Sequence, residues 1–129
     1  MMRILIDSHI LMWVQLEPEK LPKEAREILS TGGHDFFFSA ASIWEIAIKA
    51  QLGRTNFRAN AAELAAGARN SGFVELPITS AVAASVADLP MHHADPFDRL
   101  LIAQAMYLPA RLLTVDKQLV PYSELVMLL

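Results

Sequence analysis

"RILID", residues 3–7, is a run of branched apolar residues that ends in an acid. "RLLTVD", residues 111–116, has the same pattern near the other end of the chain. A continuous apolar run of this length is typical of a strand covered on both faces, whereas a strand with one face in water alternates apolar and polar residues. The two runs therefore predict buried parallel strands, each followed or ended by an aspartate, Asp7 and Asp116.

Three further runs are interpreted as strands, and they cover residues 35–40, 73–78 and 124–129. Helical patterns lie between the strands, at residues 22–33, 42–53, 60–72 and 79–90 and in the segment that follows Asp95. Strands that alternate with helices favour an α/β fold with three α/β/α layers, in which a mainly parallel five-stranded sheet is covered by helices on both faces. Because 129 residues is a usual length for one folding unit, we expect a single domain over residues 1–129.

The composition excludes several classes of protein. The chain has no cysteine, which excludes disulfides and thiolate metal sites and is typical of a reducing, cytoplasmic environment. Residues 1–14 are apolar but are interrupted by Asp7 and His9, so they have neither the pattern of a signal peptide nor the length of a membrane span. The net charge of −3 argues against binding duplex DNA through the whole surface. A local contact with nucleic acid is compatible with this charge, since the segment from Lys49 to Arg58 carries three basic residues and no acid.

Four acids are expected at one edge of the sheet. Asp7 and Asp116 lie at the ends of predicted strands, where the ligand crevice of an open α/β sheet is found. Glu45 is placed in the first turn of the helix after the second strand, and Asp98 in the first turn of the helix that leads to the fourth. Close carboxylates repel one another unless a cation lies between them, and Mg²⁺ or Mn²⁺ prefers such oxygen ligands. The four acids therefore indicate metal-assisted phosphodiester chemistry.

A non-catalytic alternative explains each acid as part of a helix start. Ser42 and Glu45 have the spacing of a capping box, and Asp95 followed by Pro96 is a favourable start for a helix. The two aspartates at the strand ends can each cap the helix that follows, and Glu45 can pair with Lys49 one turn along its helix. In that interpretation the domain is a protein-binding module whose acids are helix caps.

Four blocks of sequence together resemble the PIN-domain ribonucleases, specifically the VapC-like toxins of bacterial and archaeal toxin–antitoxin pairs. The blocks are "ILIDSHILMW" (4–13), "SAASIWEIAIK" (39–49), "HHADPFDRLLIAQA" (92–105) and "LLTVDKQL" (112–119). Their order and spacing fit the family, and the resemblance spans essentially the whole chain. Two departures are slight, since Ser8 stands where threonine is common and Ala94 where a basic residue often occurs.

The resemblance implies a PIN-like domain whose acidic pocket binds one or two Mg²⁺ or Mn²⁺ ions and cleaves RNA endonucleolytically, by hydrolysis without a covalent enzyme intermediate. The family's catalytic and metal-binding acids correspond to Asp7, Glu45, Asp98 and Asp116. The implied partners are an RNA substrate, a cognate antitoxin whose carboxy-terminal segment covers the pocket, and a second copy of the chain in a homodimer. No membrane partner is expected.

Further residues are expected to support this site. Ser8 and Thr114 are expected to donate hydrogen bonds to a metal ligand rather than to bind the metal. Asp95 is expected to cap its helix, and a contact with the metal through water is left open for it. Basic side chains near the pocket are expected to hold the RNA backbone, and the candidates are Lys49, Arg54 and Arg99.

The aromatic residues of the apolar runs are predicted to pack in the core rather than to stack on bases. They are Trp13, Trp44 and the three phenylalanines 36–38. The sequence leaves open whether His9, His92 or His93 contacts the substrate.

Overall fold

A five-stranded sheet of parallel strands lies at the centre of the molecule. The computed structural model describes residues 1–53 and 60–129. The strands are β1 (Arg3–Ile6), β2 (Asp35–Ser39), β3 (Val74–Leu76), β4 (Arg111–Thr114) and β5 (Val126–Leu128). Their order across the sheet is β3-β2-β1-β4-β5, and every neighbouring pair is parallel. This confirms the predicted α/β class and the parallel sheet.

Helices connect the strands and cover both faces of the sheet. They are α1 (Ser8–Leu16), α2 (Lys23–Ser30), α3 (Ala40–Gln51), α4 (Ala61–Asn70), α5 (Ser80–Ser85) and α6 (Pro96–Tyr107). Short 3-10 helices lie at Pro18–Lys20, Val86–Asp88 and Lys117–Tyr122. Within the described ranges, no helix is both long enough and apolar enough to cross a bilayer.

The central strand β1 shows why a continuous apolar run forms a strand here. Ile4 and Ile6 are fully buried in one hydrophobic cluster, which also contains side chains of α1, α2, α3 and α4. Leu5 is fully buried in a second cluster, which contains side chains of α6. Successive side chains of a strand point to opposite faces, so a sheet with helices on both faces needs an apolar residue at every position.

Parallel pairing brings the carboxyl ends of β1 and β4 to the same edge of the sheet. The backbone N–H of Asp7 donates to the carbonyl of Leu113 at 3.1 Å, which continues the pairing of the two strands by one residue. Asp7 and the residues after Thr114 therefore meet directly, at the edge predicted from the order of the strands.

Several element boundaries differ from those predicted. Helix α3 begins at Ala40, two residues early, because the Ser39 hydroxyl accepts the Ala41 N–H at 3.0 Å and caps the helix at the last residue of β2. The predicted capping box of Ser42 and Glu45 is therefore wrong, and Glu45 lies in the second turn of α3 rather than the first. The helix predicted at 79–90 is shorter, because α5 ends at Ser85 and a 3-10 turn follows.

Candidate active site

Asp7 is held in place by hydrogen bonds to both of its carboxylate oxygens. Its Oδ1 accepts the Ile10 N–H at 2.8 Å and so caps α1, and its Oδ2 accepts the Thr114 hydroxyl at 2.6 Å. The Thr114 Oγ1 in turn accepts the backbone N–H of Asp116 at 3.1 Å. Thr114 therefore links the acid after β1 to the acid after β4, in the hydrogen-bonding role predicted for it.

Burial raises the pKa of the Asp7 carboxyl above its ordinary value, and the nearby Glu45 charge raises it further. The hydrogen bonds from Thr114 and Ile10 and the proximity of His9 oppose this rise. A carboxylate that is only 3% exposed in the folded chain loses its hydration, and this disfavours the ionised form. A cation beside Asp7 would reverse that preference.

Glu45 is a second buried carboxylate, and each of its oxygens has a partner. The Ser8 hydroxyl donates to Oε1 at 2.7 Å, and Ser8 Oγ also lies 3.0 Å from Ser42 Oγ. The Lys49 ammonium lies 2.6 Å from Oε2, one helical turn along α3. The structure thus contains the Glu45–Lys49 pair considered from the sequence, and the Lys49 side chain remains 38% exposed.

Asp95 and Asp98 have separate roles at the start of α6. The Oδ1 of Asp95 accepts the backbone N–H groups of Phe97 and Asp98 at 2.8 and 3.1 Å, so Asp95 is the helix cap and Pro96 takes the first helical position, as predicted. Asp98 lies in the first turn of α6, where the prediction placed it. Because Asp95 satisfies the helix end, the Asp98 carboxylate is available to side chains outside the helix.

Asp98 forms a cluster with His93 and Asp116. The Nε2 atom of His93 lies 2.9 Å from Asp98 Oδ2 and 3.4 Å from Asp116 Oδ2. One ligand atom from each residue lies within 4.8 Å of the others, and all three side chains are half-buried. Oxygen and nitrogen ligands bind Mn²⁺ or Mg²⁺ at about 2.0–2.3 Å, so donors around one ion lie about 3–4.5 Å apart. The donor set fits a divalent cation.

The surroundings of Asp98 disfavour its negative charge. Burial is the largest cause, followed by the charges of Asp95 and Glu45, and together they raise the pKa of Asp98 to about 6 against opposition from His93. The Glu45 charge raises the pKa of both Asp7 and Asp98. Asp7 and Glu45 lie outside the tight cluster around His93, but Thr114 links Asp7 to Asp116 by hydrogen bonds and the charge of Glu45 acts on Asp98.

The sequence did not predict His93 as a member of the site, because His92 and His93 are adjacent in the same loop. Tyr122 distinguishes them. The His93 N–H donates to the Tyr122 hydroxyl at 2.8 Å, and that hydroxyl lies 3.2 Å from the His93 carbonyl. The ring of His92 packs against the Tyr122 ring, with centroids 5.0 Å apart. The sequence signal that could have pointed to His93 was a side chain able to bind a metal shortly before Asp98.

Arg99 does not lie where an RNA-binding side chain is expected. It is 8% exposed, and its guanidinium donates to the carbonyls of Pro90, Val86 and Leu89 and to the Tyr122 hydroxyl. These bonds hold the loop that carries His93, so the guanidinium is committed within the chain and the predicted phosphate contact is wrong. Arg54, the other arginine candidate, lies outside the described residues.

The helix-cap alternative accounts for only part of this site. Side chains of Asp7, Asp95 and Asp116 accept backbone N–H groups at helix starts, and the Asp116 acceptor is Oδ1, bonded by Gln118 at 2.9 Å. Among the described residues, both oxygens of Glu45 and the Oδ2 of Asp98 have side-chain partners instead. Helix capping thus explains the hydrogen bonds of three aspartates, but it does not explain the acidic side chains of Glu45 and Asp98.

Comparisons with known proteins agree with this geometry. A model of the PIN domain family matches residues 4–124. Ribonuclease VapC22 from Mycobacterium tuberculosis is 32% identical over 124 residues, which cover 92% of this chain and 91% of that protein.

Two solved structures share the fold at low sequence identity. One is the structure of VapBC2 from Rickettsia felis bound to a promoter DNA fragment. A chain of that structure matches with a TM-score of 0.69 and 12% identity, and the match covers 99% of this chain and 98% of that one. A toxin–antitoxin complex from Klebsiella pneumoniae has a chain with a TM-score of 0.66 and 18% identity, covering 96% of this chain and 95% of that one. The family model and the curated relative both extend over nearly the whole chain, and the chain therefore belongs to the PIN-domain family.

Proposed function

We propose that this protein is a divalent-metal-dependent endoribonuclease that acts as the toxin of a toxin–antitoxin pair. The observation that carries the proposal is the convergence of His93, Asp98 and Asp116 within 4.8 Å, beside buried Asp7 and Glu45. The relative named as a ribonuclease, at 32% identity over most of both chains, supports the same activity.

Asp98, Asp116 and His93 would hold the cation, and Asp7 and Glu45 would add negative charge to the site. Carboxylate oxygens suit both Mg²⁺ and Mn²⁺, and an imidazole nitrogen suits Mn²⁺ better. When bound, such an ion lowers the pKa of a water molecule and neutralises charge on a phosphoryl oxygen, which is the chemistry that phosphodiester hydrolysis needs.

The chain's own residues prepare the site for that ion. Thr114 fixes the orientation of Asp7, and Ser8 with Lys49 fixes that of Glu45. Oriented carboxylates bind a cation without first losing side-chain freedom, so less binding energy is spent on ordering the ligands. Lys49 lies at the same site, and its side chain is partly exposed. We assign its ammonium group a contact with a phosphate of the RNA backbone.

The proposed toxin function implies two protein partners, an antitoxin and a second copy of the chain. We infer a cognate antitoxin that covers the acid site, because the solved structures that share the fold include toxin–antitoxin complexes. We also infer that the chain acts as a homodimer. Light scattering of the purified chain, alone and with a candidate antitoxin, measures both states.

The test of the activity uses isosteric substitutions. Asp98→Asn and Asp7→Asn should each abolish Mn²⁺-dependent cleavage of single-stranded RNA and relieve growth inhibition, while circular dichroism stays unchanged. Asp88→Asn is the matched control, because Asp88 is an exposed aspartate in the 3-10 turn Val86–Asp88. Full cleavage by either site variant, or cleavage by the native protein in excess chelator, would refute the proposal.

A further inference from the structure

Trp44 is exposed, although the sequence placed it among the core residues. The side chain lies on α3 and is 61% exposed, whereas Phe38 of the neighbouring strand is fully buried. The expectation of core packing is therefore wrong for Trp44. Tryptophan is on average one of the more buried residues, so an exposed one in a structured helix invites a search for what it contacts.

The ring of Phe97 holds Trp44 in place across two helices. The two ring centroids are 5.2 Å apart with an interplanar angle of 74°, an edge-to-face arrangement. Such pairs attract each other beyond the effect of their buried area, which favours one side-chain orientation. Trp44 therefore presents an ordered aromatic surface to solvent.

The aromatic pair lies on the same two helices as two acids of the site. Trp44 immediately precedes Glu45, and Phe97 immediately precedes Asp98. Consecutive residues of a helix share one turn, so each ring starts in the same turn as an acid of the site. The exposed part of Lys49 lies on the same helix, where its ammonium pairs with Glu45.

The charge of the site explains why an aromatic surface is useful beside it. Carboxylates repel the phosphates of a nucleic acid on either side of the bond to be cleaved. Stacking of a base on an aromatic ring needs no opposite charge, contributes about 1–3 kcal/mol for each base, and tolerates any base sequence. A single-stranded substrate offers such bases, because they are not paired within a helix.

We propose that Trp44, oriented by Phe97, is the surface on which a base next to the cleaved phosphate of single-stranded RNA stacks. This inference rests on the proposed ribonuclease function, since it takes RNA as the substrate. It assigns Trp44 a contact with the substrate and Phe97 the role of a positioning residue.

Tryptophan fluorescence provides a direct test, because Trp13 and Trp44 are the two tryptophans of the chain. A Trp13→Phe variant leaves Trp44 as the reporter, and an added Asp7→Asn change prevents cleavage during the titration. Oligoadenylate should quench the fluorescence, and an abasic oligoribonucleotide with the same phosphates should quench it much less. Equal quenching by both would overturn the inference.

Binding measurements complete the test. Trp44→Ala should raise the Kd for oligoadenylate about 5- to 140-fold, since stacking contributes about 1–3 kcal/mol and 1.4 kcal/mol corresponds to a factor of ten. Trp44→Phe should recover most of the loss, and Phe97→Leu should lose part of it. Tyr107→Ala is the matched control, because Tyr107 is an aromatic residue of α6 that is 65% exposed.

The outcomes separate this inference from the function on which it rests. Absence of Mn²⁺-dependent RNA cleavage by the native protein refutes the ribonuclease assignment itself. An inactive background whose affinity for RNA is unchanged by Trp44→Ala overturns only the stacking surface. Loss of antitoxin binding in Trp44→Ala, with unchanged RNA affinity, also overturns it and assigns the surface to a protein partner.

Discussion

Asp98→Asn should stabilise the metal-free protein at neutral pH while it abolishes the proposed activity. The Asp98 carboxyl is partly buried and is close to the charges of Asp95 and Glu45, which raise its pKa to about 6. Ionised Asp98 is therefore unfavourable in the folded state without a cation. Asparagine has nearly the same shape and carries no charge, so its side chain avoids this cost.

The pKa shift sets an upper limit on the size of the effect. The difference between the ordinary value of 3.8 and about 6 corresponds to about 3 kcal/mol, at about 1.36 kcal/mol for each pH unit. Two corrections reduce it. The side chain is 22% exposed and so is partly screened by water. A negative charge in the first turn of a helix is also favourable by about 0.3–1 kcal/mol, which asparagine loses. We expect a net stabilisation of about 1–2 kcal/mol.

The sign of the pH dependence follows from the direction of the shift. Because folding raises the pKa, the folded state binds the Asp98 proton more tightly than the unfolded state between pH 3.8 and about 6. The stability contributed by this group is fully present below pH 3.8 and is lost as the pH rises through about 6. The advantage of the Asp98→Asn variant should therefore grow over that window and level off above it.

Urea unfolding in excess chelator at several pH values measures this difference. Asp88→Asn is again the control, and a change within about 0.5 kcal/mol is expected for that surface site. Mn²⁺ should reverse the order of stability, because a ligand at a hundred times its Kd stabilises the native protein by about 2.7 kcal/mol and the variant lacks a ligand group. A less stable variant in chelator at pH 7.5, with no change in its fold, would contradict the reasoning.

Three further predictions concern the residues around the acids. Thr114→Val should destabilise the protein by about 1–3 kcal/mol in urea, because buried Asp7 and the Asp116 N–H each lose a partner; an unchanged midpoint would contradict the link between the strand ends. His93→Asn should weaken Mn²⁺ binding about tenfold or more and Mg²⁺ binding less, as measured by Mn²⁺ electron paramagnetic resonance and competition, whereas His92→Asn should change neither. Arg99→Lys should cost about 2–4 kcal/mol in the same urea assay, since the guanidinium holds several loop carbonyls at once; full stability would show that these bonds contribute little.

Features that depend on backbone periodicity and on local capping could be predicted from the sequence. The apolar run at residues 3–7 predicts a doubly covered strand because its side chains alternate between two buried faces, and the structure confirms both clusters. The Asp95 cap was predictable because a cap bonds to backbone N–H groups two and three residues away. The meeting of the strand-end acids follows from parallel pairing alone.

The tertiary structure decided which side chains share the site. His93 rather than His92 faces Asp98 because Tyr122, 29 residues away, bonds to the His93 backbone. Contacts between segments also decide the other two cases. The Arg99 guanidinium donates to loop carbonyls, and Trp44 lies exposed against Phe97 of another helix. The order of apolar runs and capping residues along the chain specifies the strands and helices, and it specifies the edge of the sheet at which the acids lie. Whether a given side chain is buried, paired or open depends on contacts between segments that only the packed molecule brings together.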